Sequence, residues 1–239
     1  MFWKKFHIKY KDISEKDPDI IAYKKVSAKI LDDLHSGIMG YLISNSGNEV
    51  IEFLTRSDTE GKALEIGFGR GHHYNFVNNI RKRKYFALEL SSIYSDSPIW
   101  RQLRGYCVRG DARKLPYKKA SFSRVVSVQN LEHISDIDAV IKEVEGVLKD
   151  DGEFLVALPC EDGFFYNLGR ELTTRRYFNK KYGINYDKVM AYEHVWCLRD
   201  LLVKLKDKFE LEKEIYLPFR LKIIDVNLTY VARFRKKRT

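Results

Sequence analysis

The sequence predicts an α/β fold, a mainly parallel sheet with helices on both faces, and three observations predict it. Short apolar runs of strand character alternate with helical stretches from Ala63 to Leu158. The first run stops in a glycine-rich turn, Glu65-Ile66-Gly67-Phe68-Gly69-Arg70-Gly71. The following runs stop at Glu89, at Gly110-Asp111 and at Gln129-Asn130. Ligands of parallel sheets sit beyond the carboxyl ends of the strands, so these four places are expected to share one edge.

The elements follow in order. Residues 1–15 mix Lys with Phe, Trp and Tyr and read as an amphipathic arm that packs on the domain or touches a membrane surface. From Asp19 to about Leu34, Ile20, Ala22, Tyr23, Val26, Ile30, Leu31 and Leu34 fall on one helical face. Gly37 and Gly40 loosen the chain, and a second helix spans about Gly47 to Thr55. Residues 1–60 thus read as a helical cap within the same domain, and 61–239 as its core.

Ala63–Ile66 is the first strand, His72–Ile80 a short helix, and Tyr85–Leu90 the second strand. A helix over Ile93–Leu103 is interrupted by Pro98. Tyr106–Arg109 and Ser123–Val128 are the third and fourth strands. Asp136–Leu148 places Ile137, Val140, Ile141, Val144, Val147 and Leu148 on one face, and Glu153–Leu158 is the fifth strand. The alternation then fails from Glu161 to His194, a stretch rich in aromatics and arginines that reads as a partly helical lid at the ligand edge. A helix over Leu198–Phe209 and two strands, Phe209–Leu217 and Asn227–Phe234, close the chain as an antiparallel pair.

Composition bounds the function. Hydrophobic residues at 44% and 239 residues in all give one large domain with a core and exclude a disordered chain. Three separated cysteines, Cys107, Cys160 and Cys197, form no CxxC pair, so neither a zinc site nor a disulfide framework is indicated. No apolar run approaches the roughly 20 residues of a membrane helix, and the first residues lack a signal-peptide core. The expected location is the cytoplasm, with peripheral membrane contact open to the basic arm. A net charge of +10, clustered at 4–11, 81–84, 113–119, 170–181 and 233–238, can serve nucleic acid, anionic lipid or phosphorylated substrates, or be a solvated basic surface and no more.

The glycine loop narrows the ligand. A dinucleotide fingerprint wants its third glycine three residues after the second. Here Gly71 follows Gly69 by two, and no Lys-Ser/Thr pair of a phosphate-binding loop is present. A carboxylate at Glu65 disfavours a pyrophosphate and suits an uncharged or cationic group. Glu89 can accept both hydroxyls of a ribose, and Asp111 an adenine amino group.

These pieces resemble the class I S-adenosylmethionine-dependent methyltransferases over about Gly61–Phe209. The resemblance rests on Leu64–Gly71, Ala87-Leu88-Glu89, Gly110–Tyr117, Phe122–Ser127, Asn130-Leu131-Glu132-His133-Ile134, Val147–Phe154 and Glu193-His194-Val195-Trp196. It implies a Rossmann-like, seven-stranded, mainly parallel sheet with an antiparallel last strand, and S-adenosyl-L-methionine as cofactor. By position it implies that Gly67 and Gly69 pass under the cofactor, with Gly71 turning into the helix. Glu65 and Gln129 would meet the methionine portion, Glu89 the ribose, and Asp111 with Ala112 the adenine. Asp150-Asp151-Gly152 departs from the usual proline-glycine turn, and His72-His73 follows the loop.

A sulfonium already activates its methyl group, so holding the acceptor in line is the main task; positioning is worth roughly 7–11 kcal/mol in the best cases. A poor nucleophile such as an alcohol also needs a base, and His133 is the first candidate. His194, Arg170 and Tyr166 are candidate acceptor contacts. The leading expectation is methyl transfer to a small-molecule or glycan-like acceptor, phosphorylated or lipid-linked, with a weak likeness of the lid to surface-polysaccharide methyltransferases. The alternatives are an RNA methyltransferase, which the charge favours but no RNA-binding module supports, and a non-catalytic binding protein of the same fold. No metal site is expected: adjacent His72 and His73 point to different faces.

Overall fold

The computed structural model describes residues 13–35, 47–56, 61–95, 97–103 and 105–237. Most of the expected N-terminal arm, the glycines Gly37 and Gly40 and the last basic residue, Arg238, lie outside the described residues.

Seven strands form one sheet: β1 (Ala63–Ile66), β2 (Tyr85–Glu89), β3 (Cys107–Arg109), β4 (Phe122–Val128), β5 (Leu148–Pro159), β6 (Phe209–Leu217) and β7 (Thr229–Lys236). Their order across the sheet is β3-β2-β1-β4-β5-β7-β6. The first five are parallel, and β7 inserts antiparallel between β5 and β6. The chain reverses its strand order after β3, returning to the other side of β1, and this switch point opens the crevice for a ligand.

Both faces of the sheet are covered, which explains the near-continuous apolar strands. On one face Leu64, Ile66, Phe154 and Val156 pack with α5 (Ile137–Val147) and α9 (Leu198–Lys208). The alternate residues Val126, Leu155, Ala157 and Val231 meet Ile51 and Leu54 of a helix, α2, over residues 47–54. Asp136 caps α5, its carboxylate accepting from the Ala139 amide at 3.1 Å.

Two expected helices are broken, each by a residue that caps a new start. In place of a helix over His72–Ile80 there is a single 3-10 turn, His73–Asn75, and then α3 (Asn79–Lys82). The Asn78 side chain accepts from the Arg81 amide at 2.9 Å, so this asparagine starts a helix instead of continuing one. Ile93–Leu103 likewise divides into a 3-10 turn, Ser92–Tyr94, and α4 (Pro98–Gln102), where Ser97 caps and Pro98 occupies the first turn. Strand β5 runs longer than Glu153–Leu158, because Leu148 already pairs with Phe122 across an irregular register.

The lid is wholly helical in plan: α6 (Phe164–Leu172), α7 (Thr174–Tyr182) and α8 (Tyr186–Glu193). The two N-terminal helices do not act as one cap. While α2 covers the sheet, α1 (Pro18–His35) joins the lid, packing Ile20, Tyr23 and Ile30 against Phe178, Ile184, Tyr186 and Val189. Asp17 and Asp19 clamp Lys188 at 3.0 and 2.8 Å, which fixes α1 against α8.

Candidate functional site

A cavity of about 1060 Å³ lies beyond the carboxyl ends of β1, β2 and β4 and under the lid. Glu65, Gly67, Gly69, Glu89, Asp111, Ala112 and Gln129 line its sheet side, and Tyr166, Arg170, His133 and His194 its lid side. The strand ends and the lid together bring eleven of the twelve sequence-predicted residues to one space. Gly71 is the exception: it is set behind the loop, and with φ of +81° a Cβ there would lie 2.6 Å from the Phe68 ring. Its place in the fold is the turn itself.

The loop is held from both sides. Gly69 donates its amide to Glu89 Oε2 at 2.8 Å, while its carbonyl accepts from Trp100 Nε1 at 2.9 Å. A Cβ on Gly69 would meet no atom within 4 Å, so the bare backbone there faces open space. At Gly67, φ is +71° and a Cβ would fall 2.1 Å from the Asn130 side chain. The turn after β1 and the turn after β4 are therefore in direct contact.

Glu89 also accepts from the Ser91 amide at 2.8 Å, so two backbone donors hold its carboxylate in place and leave lone pairs on each oxygen. Such a group fits a vicinal diol. Glu65 is buried and accepts from the Tyr85 hydroxyl at 2.6 Å. Desolvation pushes its pKa up to about 8 against the pull of Tyr85, so the carboxyl is largely protonated at neutral pH until a cation arrives. Asp111 is engaged by Arg113 through Oδ1 and Oδ2, and these hydrogen bonds hold its carboxyl below the usual range. Gln129 adopts φ of +46°, a strained backbone at the mouth of β4. The buried acid, the fixed diol acceptor and the bare glycine backbone fit the amine, ribose and nucleoside parts of S-adenosylmethionine.

On the lid side, His133 Nδ1 lies 2.9 Å from the Glu193 carbonyl. A carbonyl only accepts, so Nδ1 carries the proton and Nε2 keeps its lone pair. Desolvation and the neighbouring His194, whose ring stands 4.4 Å away edge-on, lower the His133 pKa, while 37% of its side chain stays exposed to solvent. Burial alone would lower His194 too, but its ion pair with Glu161 at 2.7 Å outweighs that and raises it. Two of the lid arginines, expected to meet an anionic acceptor, are compensated internally. Arg170 pairs with Glu161 at 3.4 Å and stacks on Tyr166 and Tyr186, and Arg175 pairs with Glu171 and Asp187.

Sequence reasoning missed Glu132, Glu161 and Tyr85. Glu132 is buried, lines the cavity, and is pushed up to about 7 by desolvation. It stood inside the Asn130–Ile134 motif beside the more conspicuous histidine. Glu161 follows the end of β5, where the strand-end rule applied to one more strand finds it. Nothing in the sequence signals that Tyr85 serves Glu65 across two neighbouring strands. Among the described residues no cluster of three or more His, Cys, Asp or Glu forms a metal site.

Residues 64–156 match the family model of a methyltransferase domain. Among curated proteins, the chain is 28% identical over 96 residues to the mitochondrial arginine-hydroxylase NDUFAF5 of Danio rerio, covering 40% of this chain and 30% of that protein. A sterol 4-C-methyltransferase, strm-1 of Caenorhabditis elegans, is 35% identical over 49 residues, 20% of this chain and 15% of that one. The chain thus spans under a third of the length of these relatives. Among solved structures, an S-adenosylmethionine-dependent methyltransferase of Thermotoga maritima superposes with a TM-score of 0.59 at 19% identity, covering 91% of this chain and 99% of that one. The [4+2]-cyclase SpnF superposes with a TM-score of 0.57 at 16% identity, covering 80% and 81%. At such identities the structures establish the fold, while the match over 64–156 and the ordered strand-end residues identify the domain. Residues 64–156 match a methyltransferase domain, set in the fold of solved S-adenosylmethionine-dependent methyltransferases.

Proposed function

We propose that this chain transfers the methyl group of S-adenosylmethionine to a small-molecule or glycan-like acceptor held under the three-helix lid. The observation that carries this reading is the single cavity, continuous from the glycine loop to His133, Tyr166 and His194. The cofactor supplies an activated methyl carbon, and the chain's own task is to hold the acceptor behind it and to receive a proton. Tyr166, half-buried at the cavity wall, offers the face not covered by Arg170 to a sugar-like ring, while Tyr186 is buried beneath the same arginine. With its pKa lowered, His133 is a hydrogen-bond acceptor at Nε2 and a weak proton acceptor. Glu132, near 7, is better matched to take the proton from an alcohol or amine. The internal pairing of Arg170 and Arg175 favours a neutral acceptor headgroup over a phosphorylated one, while Arg176, Lys180 and Lys181 keep the outer side of the lid basic. A role in surface-polysaccharide synthesis rests on the likeness of the lid sequence alone.

Calorimetric titration with S-adenosylhomocysteine tests the cofactor half, and transfer of labelled methyl into fractionated cell extract tests the acceptor half. Label in small metabolites or lipid-glycans supports the proposal; label in RNA replaces it with the nucleic-acid reading. Tight binding without transfer to any fraction indicates chemistry other than methylation; an arginine hydroxylase and a [4+2]-cyclase are among the similar proteins.

A further inference from the structure

Helix α6 has two faces of opposite use. Tyr166, Gly169 and Arg170, spaced one turn apart, line the cavity. Phe164, Phe165, Leu168 and Leu172, on the other side, are all exposed. Beside this outer face runs the loop that joins β6 to β7. The Phe164 amide donates to Asp225 at 3.2 Å, and a Cβ on Gly163 would lie 2.5 Å from the Ile224 carbonyl. The loop reads Pro218-Phe219-Arg220-Leu221-Lys222-Ile223, and all six residues are exposed, with Phe219 at 63%. Large apolar side chains alternate there with cations.

The loop is built, not slack. Asn227, fully buried, accepts from the Phe219 amide at 3.1 Å and donates to the Leu221 and Ile223 carbonyls, each at 2.8 Å. The Arg220 amide is tied to the Tyr216 carbonyl at 2.8 Å, and Arg220 itself is held at φ of +59°. Spending a buried asparagine and a strained residue to keep three apolar side chains in water marks a surface with a partner.

We propose that α6 and the 218–223 loop form a docking surface for an anionic phospholipid membrane, with the lid at the bilayer surface. Apolar side chains interleaved with Arg220 and Lys222 match an acyl layer overlaid by anionic headgroups. The net charge of +10 acts in the same direction. Lys222 is only partly spoken for, by Glu214 at 3.0 Å with 73% of its side chain exposed. Among the described residues the acids near this face are engaged: Glu214 by Lys222, Asp225 by Phe164 and Arg199, and Glu171 by Arg175. A second copy of the chain is a poorer occupant, because a two-fold contact across this loop would gather the Arg220 and Lys222 cations of both copies into one interface. Because α6 carries the patch outside and Tyr166 and Arg170 inside, docking places the cavity wall one helix diameter from the membrane.

The test is co-flotation of the full chain with phosphatidylcholine vesicles, with and without phosphatidylglycerol. The wild type is expected to float with the anionic vesicles and to be released by salt. Phe219→Ser combined with Leu221→Ser is expected to weaken partitioning by at least about tenfold, given the burial value of two large apolar side chains. Arg220→Glu with Lys222→Glu is expected to abolish the preference for phosphatidylglycerol. Phe53→Ser and Val203→Ser, exposed elsewhere, serve as controls and should not change flotation. Phe219→Trp provides a readout that needs no destabilising change: its emission should shift to the blue and be quenched by brominated acyl chains. The proposal fails if the wild type does not float, if the loop variants float as well as wild type, or if Phe219→Trp stays in water. A dimer that the loop variants dissociate, in a chain that ignores vesicles, would assign the patch to self-association instead.

Discussion

Glu89→Ala is the most informative single change at the cofactor side. The carboxylate accepts from Gly69 and Ser91, both at 2.8 Å, and these are charge-assisted bonds. Removing it leaves two part-buried amides without their acceptor, for a loss of roughly 1–3 kcal/mol in folding stability if one of them finds water. The ligand loses more selectively. Two hydroxyl donors of a ribose bound to an ionised carboxylate are worth about 1.5–3 kcal/mol each. A fall of about 3 kcal/mol in binding, allowing for solvent compensation, is a roughly hundredfold weaker affinity. Glu89→Gln keeps one oxygen for Gly69 or Ser91 and sets its NH2 against the other amide, so it should cost less stability than Glu89→Ala while still losing affinity. Calorimetry with S-adenosylhomocysteine and thermal melting, run on both variants, separate these effects. If Glu89→Gln melts like the wild type and binds with unchanged affinity, Glu89 is a loop clamp only and the ribose assignment is wrong.

Three further outcomes follow from the same geometry. Gly67→Ala sets a Cβ 2.1 Å from Asn130 in a left-handed conformation, so it should cost about 1–3 kcal/mol in a denaturant melt and disorder the contact between the β1 and β4 turns. Glu65 has its pKa raised from 4.5 to about 8, so the folded state holds a proton that the unfolded state has lost; stability from this group falls as pH rises through that window. Glu65→Gln should therefore flatten the slope of unfolding free energy between pH 5 and about 8, measured in urea, and an unchanged slope would remove Glu65 as its source. Asn227→Ala orphans the Phe219 amide and two carbonyls, with an expected cost of about 1–3 kcal/mol and a parallel loss of vesicle flotation; retained flotation would show that loop shape is immaterial.

The sequence by itself determined the sheet, because buried parallel strands write continuous apolar runs and each run here ends at a polar residue at the ligand edge. Ala63–Ile66 and Phe209–Leu217 coincide with their expected bounds to the residue. It also determined the sheet-side wall of the cavity, since the glycines and acids that line it follow their strands within a few residues. Tertiary structure decided what depends on distant segments. The break at Asn78 turns on a capping bond that competes with helix propensity, and the helix at Pro18–His35 became part of the lid through Lys188, some 170 residues away. Whether an arginine in the lid is available to an acceptor depends on Glu161, Glu171 and Asp187 reaching it in space. The raised pKa of Glu132 exists only after burial removes water from it, and the lowered one of His133 only after the fold partly desolvates its ring and sets His194 beside it. Charge and polarity are written in the chain, but solvation and pairing are set by what the fold brings beside them.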